Sequence, residues 1–126
     1  MLPTAQALIA EIDAELPATR RVLERVPAEC FGWRPHPKSL SAGQLAQHVA
    51  TIPGGVAHMA AQDGFDVSTR PADYASCDSA AALLATLDRS AAAVREFLAG
   101  LDETRATAPW RLSFGDREIF TIPRLG

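Results

Sequence analysis

The fold of this chain is decided by residues 41–59, which read SAGQLAQHVATIPGGVAHM. Ser41, followed three residues later by Gln44, forms a capping box and predicts that a helix begins at this serine. Apolar residues then recur at steps of four and three, the period of an amphipathic helix. They are Leu45, Val49, Ile52, Val56 and Met59. The pattern predicts a helix to about Ala61, with a distortion at 53–55, whose core-facing side is this apolar stripe.

Two further helices are predicted, one before and one after this stretch. The first runs from about Pro3 to Arg25, and its apolar stripe keeps its phase across Pro17, so we expect a kink rather than a break. The third is capped by Asp78 or Ser79 and is rich in alanine, the best helix former. Its stripe is Leu84, Leu87, Ala91, Val94, Leu98 and Leu101. The proline-rich loop over 26–38 is expected to be pinned by Phe31 and Trp33, and the polar stretch 62–78 to cross the bundle.

After Asp102 the period changes from that of a helix to that of a strand. Trp110, Leu112 and Phe114 alternate with polar residues, and Gly115-Asp116 supplies a turn before residues 117–122 return. A two-stranded hairpin is too small to cover a helical bundle. The predicted fold class is therefore all-α: three helices plus a short β-hairpin, in a single domain with one open face.

Composition limits the classes of protein to which this chain can belong. It has 126 residues, 21% of them charged, and a formal net charge of −3. This charge argues against nucleic-acid binding, because no strong positive field is available to hold a polyanion. No apolar run reaches the roughly 18 residues of a membrane helix, and the N-terminus lacks a basic region and a secretory apolar core. We expect no membrane partner, a cytoplasmic location, and two free thiols at Cys30 and Cys77, the first packed beside Phe31.

Three histidines are the candidates for chemistry. On a helical wheel of about 100° per residue, His48 lies roughly 60° from the centre of the apolar stripe and His58 roughly 140° from it. His48 is thus expected inward or along the seam, and His58 in solvent, while His36 lies in the proline-rich loop. His48 is either an imidazole at the edge of the core that hydrogen-bonds to a neighbouring hydroxyl or carbonyl, or a metal ligand or general base. Both tryptophans, Trp33 and Trp110, are read as anchors of the loop and the hairpin.

Four short stretches resemble the DinB-like family of helical-bundle proteins. They are FGWRPHPKSLS at 31–41, QLAQH at 44–48, IPG at 52–54 and FTIPR at 120–124. The resemblance implies a four-helix bundle of up-down-down-up topology, often dimeric, that holds zinc or nickel through three histidines. The first of those histidines falls on His48, which is the metal ligand that the resemblance assigns to this chain.

The chain departs from the family pattern in its other two histidines. They belong to an H-x-x-x-H motif on the fourth helix, and this sequence contains no such motif. We therefore expect residues 1–126 to form a C-terminally truncated domain without the fourth helix, in which one neutral imidazole is too few to hold zinc.

Two possible functions follow from the resemblance and from the two histidines that this chain lacks. The first is a metal-binding homodimer, with thiol-transferase or hydrolase chemistry on a small molecule. The alternative is a non-catalytic helical association module whose open face pairs with another chain.

Overall fold

The structure is a computed structural model that describes residues 1–71 and 74–126. The helices are α1 (Pro3–Glu24), α2 (Ala42–Ala61), α3 (Ala80–Ala99) and the short α4 (Glu103–Thr107). The strands are β1 (Gly64–Asp66), β2 (Pro109–Phe114) and β3 (Arg117–Pro123), and 3₁₀ turns lie at Ala28–Cys30 and Val67–Thr69. The three predicted helices are confirmed, with ends that differ by a residue or so. Helix α1 continues through Pro17 and α2 continues through Pro53.

Helix α3 lies at the centre, where it packs against both α1 and α2. Its N-terminus is capped by Ser79, whose hydroxyl accepts a hydrogen bond from the Ala82 amide at 3.0 Å. The side chains that α3 buries follow the helical period and are Leu83, Leu87, Ser90, Ala91, Val94 and Leu98. One cluster of the core forms around Leu83 and Leu87, and a second forms around Val94 and Leu98 near Ala5 of α1.

Every buried position of helix α2 is a small residue, and Val49 is a large residue of this helix that packs, partly buried, against the core. The buried positions are Gly43, Ala46, Ala50 and Ala57. At Gly54 the backbone amide donates to Ser90 Oγ at 2.7 Å, and a Cβ added there would lie 3.0 Å from Ser90 Cα. Small side chains allow this close approach of two helix axes.

The predicted core direction of α2 is therefore wrong. Three members of the predicted stripe are well exposed: Leu45 at 54%, Ile52 at 44% and Val56 at 51%. From here on, the name apolar stripe refers to these three exposed residues alone, and not to the longer predicted stripe. Because α2 already packs through alanine and glycine, these three large side chains lie on a surface that the described residues do not cover.

The capping box at the start of α2 is confirmed in both halves. The Gln44 amide donates to Ser41 Oγ at 3.1 Å, and the Ser41 amide donates to Gln44 Oε1 at 2.9 Å. The loop before it is pinned by Phe31, which is buried, and not by Trp33, which is 62% exposed. The expected packing of Cys30 is also wrong, because its side chain is exposed.

The hairpin is confirmed, but it belongs to a three-stranded sheet of order β1-β2-β3. Strands β2 and β3 are antiparallel around Gly115, whose φ is +57°. Strand β1 was not predicted and pairs parallel to β2, with Gly64 opposite Arg111. A Cβ on Gly64 would lie 2.5 Å from the Arg111 carbonyl oxygen, so only glycine fits there. With this sheet and α4, all-α describes most of the chain but not all of it.

Two side chains attach the sheet region to the helices. Trp110 Nε1 donates to the Met59 carbonyl at 3.0 Å, which confirms this tryptophan as an anchor of the hairpin. Arg124, whose side chain is 4% exposed, donates to the carbonyls of Arg105 and Gln62 and to Asp63 Oδ1. The end of α2, α4 and the segment after β3 are thereby held together.

Candidate functional site

His48 lies on the side of α2 that faces away from α3. It is two residues from both Ala46 and Ala50, and two residues on a helix correspond to about 200°. The side chain is half-buried because Tyr74 covers it: the two rings are nearly perpendicular, with centroids 4.7 Å apart. The sequence predicted that His48 lies inward or along the seam. In the structure it does not face α3 but packs under an aromatic side chain from the segment before α3.

Gln44 and Arg70 hold Tyr74 in place. Gln44 Nε2 donates to the Tyr74 carbonyl at 2.9 Å, while the other atom of the same amide, Oε1, completes the capping box. Arg70 Nη2 donates to the Tyr74 phenol oxygen at 3.4 Å. One glutamine thus fixes both the start of α2 and the residue that covers His48.

A groove of about 520 Å³ runs along α2 beside these residues, and we call it the His48 groove. Its lining consists of His48, Thr51, Ile52, Gly55, Val56, His58, Met59, Arg70 and Tyr74. Ile52, Val56 and Met59 make an apolar wall, while the imidazoles, the guanidinium and the phenol supply hydrogen-bonding groups. Arg70 is the only residue with a permanent charge among the described residues of the lining.

His58 and His36 do not join His48. His58 is exposed, as predicted, and its Nε2 lies 3.1 Å from Gln62 Nε2. It follows His48 by ten residues of continuous helix, so the two positions are separated by about 15 Å along the axis, too far to share one ion. His36 Nδ1 accepts a hydrogen bond from the Lys38 amide at 3.1 Å within its own loop.

The described residues do not by themselves fit a three-histidine metal site. Within 1–71 and 74–126 there is no group of three or more His, Cys, Asp or Glu side chains that could hold a metal ion. His48 contributes one imidazole, and its ring packs against that of Tyr74. A tight zinc site needs three or four protein ligands. Whether the chain binds a metal stays a prediction.

A second groove lies on the other side of the apolar stripe, between α1 and α2. It has a volume of about 270 Å³ and a floor formed by Leu87 of α3. Ile12 and Leu16 line it from α1, and Val49 and Ile52 line it from α2. Ile52 borders both grooves, so the apolar stripe is the ridge between them.

The buried thiol is Cys77, not Cys30. Cys77 Sγ lies 3.6 Å from the Gly43 carbonyl oxygen, and burial raises the pKa of the Cys77 thiol above its ordinary value. A raised pKa keeps the thiol protonated and unreactive at neutral pH. Cys77 therefore acts as a packing residue at the edge of the core.

Arg70 and Tyr74 are the site residues that sequence reasoning missed. Both lie in the polar stretch between α2 and α3, where no period fixes the position of a side chain. Tyr74 is the only tyrosine of the chain, and this rarity could have drawn attention to it. Its contact with His48, however, depends on a hydrogen bond to Gln44, which lies 30 residues away in the sequence.

The fold and the site together define a class: a mostly helical protein with three long helices, a small sheet, and a histidine-lined groove on its second helix. The chain belongs to the DinB superfamily, since the sequence model of that family matches residues 11–124. This confirms the resemblance seen in the sequence. The up-down-down-up order, the missing fourth long helix and the truncated single domain stay predictions.

Two other comparisons add no relative. No curated protein and no solved structure matches the chain. Among the described residues, no helix is long and apolar enough to cross a membrane.

Proposed function

We propose that this chain is a divalent-metal-binding DinB domain whose metal site is completed only when a second polypeptide covers its apolar stripe. The observation that supports it most directly is the position of His48, one turn from Leu45 and Ile52, which are both large, apolar and exposed. A metal site needs more than one ligand, and an exposed apolar ridge is typical of a surface that another chain covers. Zinc or nickel is the ion that the family implies.

A second copy of the chain is the partner that we propose. A two-fold dimer uses the same surface patch on both subunits, so a stripe that is apolar on one chain meets the same apolar stripe on the other. Such a dimer would bring two copies of His48 to one interface, and a tight site would take at least one further protein ligand from that interface. The thiol transfer or hydrolysis of a small molecule that the family implies would then belong to the assembly, and no catalytic step is assigned to the residues of one chain.

The test is native mass spectrometry of the purified chain after incubation with zinc or nickel, because one spectrum reports both subunit count and bound metal. We expect a dimer with stoichiometric metal. His48→Ala should lose the metal, and His58→Ala, the matched control on the same helix, should keep it. Ile52→Glu should lose both the dimer and the metal, because it places a charge on the ridge. A metal-free monomer would contradict the proposal.

A helical association module without metal is the second candidate. It is favoured by the ligand count, since the described residues contribute one imidazole to the site. This candidate predicts a dimer that contains no metal, that His48→Ala leaves intact and that Ile52→Glu dissociates. The same set of variants therefore separates the two functions.

A further inference from the structure

The His48 groove has the size and lining of a small-molecule site. Its volume of about 520 Å³ falls within the roughly 300–1,000 Å³ of ligand pockets. Such pockets combine apolar walls with a few polar groups that fix orientation. Here Ile52, Val56 and Met59 supply the apolar wall along α2. The polar groups converge where Arg70 and Tyr74 meet His48.

The polar groups of this groove favour an anion. A guanidinium carries five N–H donors and no acceptor, and the contact of Arg70 with the Tyr74 phenol oxygen uses one of them. Because the phenol oxygen accepts from Arg70, the phenol hydrogen remains available to donate. Hydrogen bonds from a charged donor to a carboxylate are about twice as strong as those between neutral groups.

We propose that the His48 groove binds a small carboxylate with an apolar tail, the carboxylate at Arg70 and Tyr74 and the tail along Ile52, Val56 and Met59. The proposal goes beyond metal binding and concerns the chain with an open groove, because the tail would lie on Ile52 and Val56, which the proposed dimer covers. The carboxylate end is defined by Arg70 and Tyr74, and the tail by the wall of α2. A polar tail would lose the apolar contacts, and a cation would be repelled by Arg70.

Gln44 is the positioning residue of this site. Its Nε2 holds the Tyr74 backbone at 2.9 Å, and its Oε1 accepts from Ser41 in the capping box. Gln44→Glu retains an acceptor for Ser41 and removes the donor to Tyr74. This substitution therefore separates the two roles of Gln44. The helix should stay capped, while the Tyr74 backbone should lose its hydrogen bond to residue 44.

The experiment uses hexanoate as the probe and NMR as the readout, with the full chain in a metal chelator. Tyr74 is the only tyrosine, so ring-labelled tyrosine gives one set of signals that needs no assignment. We expect hexanoate to shift these signals saturably with a Kd of about 1–5 mM, as befits a ligand of this size in an open groove. Hexanol, which has the same tail and no charge, should bind at least tenfold more weakly.

Two arginine variants test the assignment of the carboxylate. Arg70→Gln should weaken hexanoate binding about tenfold, the loss expected for a charge-assisted hydrogen bond. Arg21→Gln, at an exposed position on α1, is the matched control and should leave the Kd unchanged. Gln44→Glu should weaken binding while far-UV circular dichroism shows the helices intact.

Three results would overturn the proposal: no saturable shift up to about 50 mM hexanoate, equal binding of hexanol, or a Kd that Arg70→Gln does not change. Because the proposed dimer would cover Ile52 and Val56, the titration is done at a protein concentration at which native mass spectrometry shows the monomer. With a chelator also present, a failure here leaves the metal proposal standing. A failure to bind zinc or nickel in mass spectrometry leaves the carboxylate site standing in turn.

Discussion

The adjacent glycines Gly54 and Gly55 should respond in opposite directions to the same substitution. Both lie inside α2, where alanine is favoured over glycine by about 1 kcal/mol. A Cβ at Gly55 would meet nothing within 4 Å. Gly55→Ala should therefore stabilise the fold by about 1 kcal/mol, which raises Tm by about 3–5 °C for a chain of this length.

At Gly54 the same gain is outweighed by the contact with α3. The added Cβ would lie 3.0 Å from Ser90 Cα, a backbone atom that moves only if the helix moves. Overpacking of this kind costs about 1–3 kcal/mol. Disturbing the 2.7 Å hydrogen bond from the Gly54 amide to Ser90 Oγ costs about 1 kcal/mol more. Gly54→Ala should therefore destabilise the fold by about 1–3 kcal/mol.

Urea unfolding followed by far-UV circular dichroism measures both variants against the unchanged chain. The expected gap between them is about 2–4 kcal/mol, from the terms above, with unchanged m-values. Equal stability of Gly54→Ala and Gly55→Ala would refute the close approach of α2 to α3. It would also remove the reason why α2 leaves its large apolar residues exposed.

Three further predictions concern single side chains. Iodoacetamide should modify Cys30 in the folded protein and Cys77 only after denaturation, as mass spectrometry of the peptides would show; equal rates would contradict the burial of Cys77. Arg124→Met should lower the free energy of unfolding by about 2–4 kcal/mol in urea, because it leaves two carbonyls without their buried donor, whereas Arg117→Met at an exposed position should change it little. Asp66 accepts hydrogen bonds from the hydroxyl and amide of Ser68 and from the Gly115 amide, which hold its pKa below the ordinary 3.8. The ionised carboxylate of Asp66 should stabilise the fold above about pH 4, and this stabilisation should be lost as pH falls through the folded pKa. In Asp66→Asn, Tm should therefore fall less steeply with decreasing pH on the acid side. An unchanged slope would contradict this.

Local signals in the sequence were enough to place the helix starts and the hairpin. Ser41 and Gln44 bond to each other within four residues, and Gly115 needs only its own positive φ to make a turn. Such features depend on neighbours in the chain. They are read correctly before the fold is known.

The side of α2 that faces the core was read incorrectly, for a physical reason. Ala46 and Ala50 recur with the same helical period as Leu45 and Val49, so periodicity alone gives two candidate faces. The larger side chains bury more apolar area and were therefore assigned to the core. Contact with α3 at Gly54 instead selects the small residues, and that contact depends on where α3 lies.

The site itself was only half predictable. His48 was named from the family motif, although the helical wheel was centred on the wrong face of α2, whereas Arg70 and Tyr74 come from a stretch without a period. Tyr74 reaches His48 because Gln44 holds its backbone. Strand β1 was not predicted for a similar reason. Its three residues are too few to show a periodic pattern, and their partner strand, which contains Arg111, follows α3 in the sequence.

The parallel pairing of β1 with β2 also constrains when the three-stranded sheet can be completed. All of α3 and α4 lie between Gly64 and its partner Arg111, so this loop must close before the sheet gains any free energy. Helices rest on contacts between near neighbours in sequence and form sooner than pairings across a long loop. The local hairpin of β2 and β3 should therefore form before β1 joins it, and the three-stranded sheet should be complete only after this loop has closed.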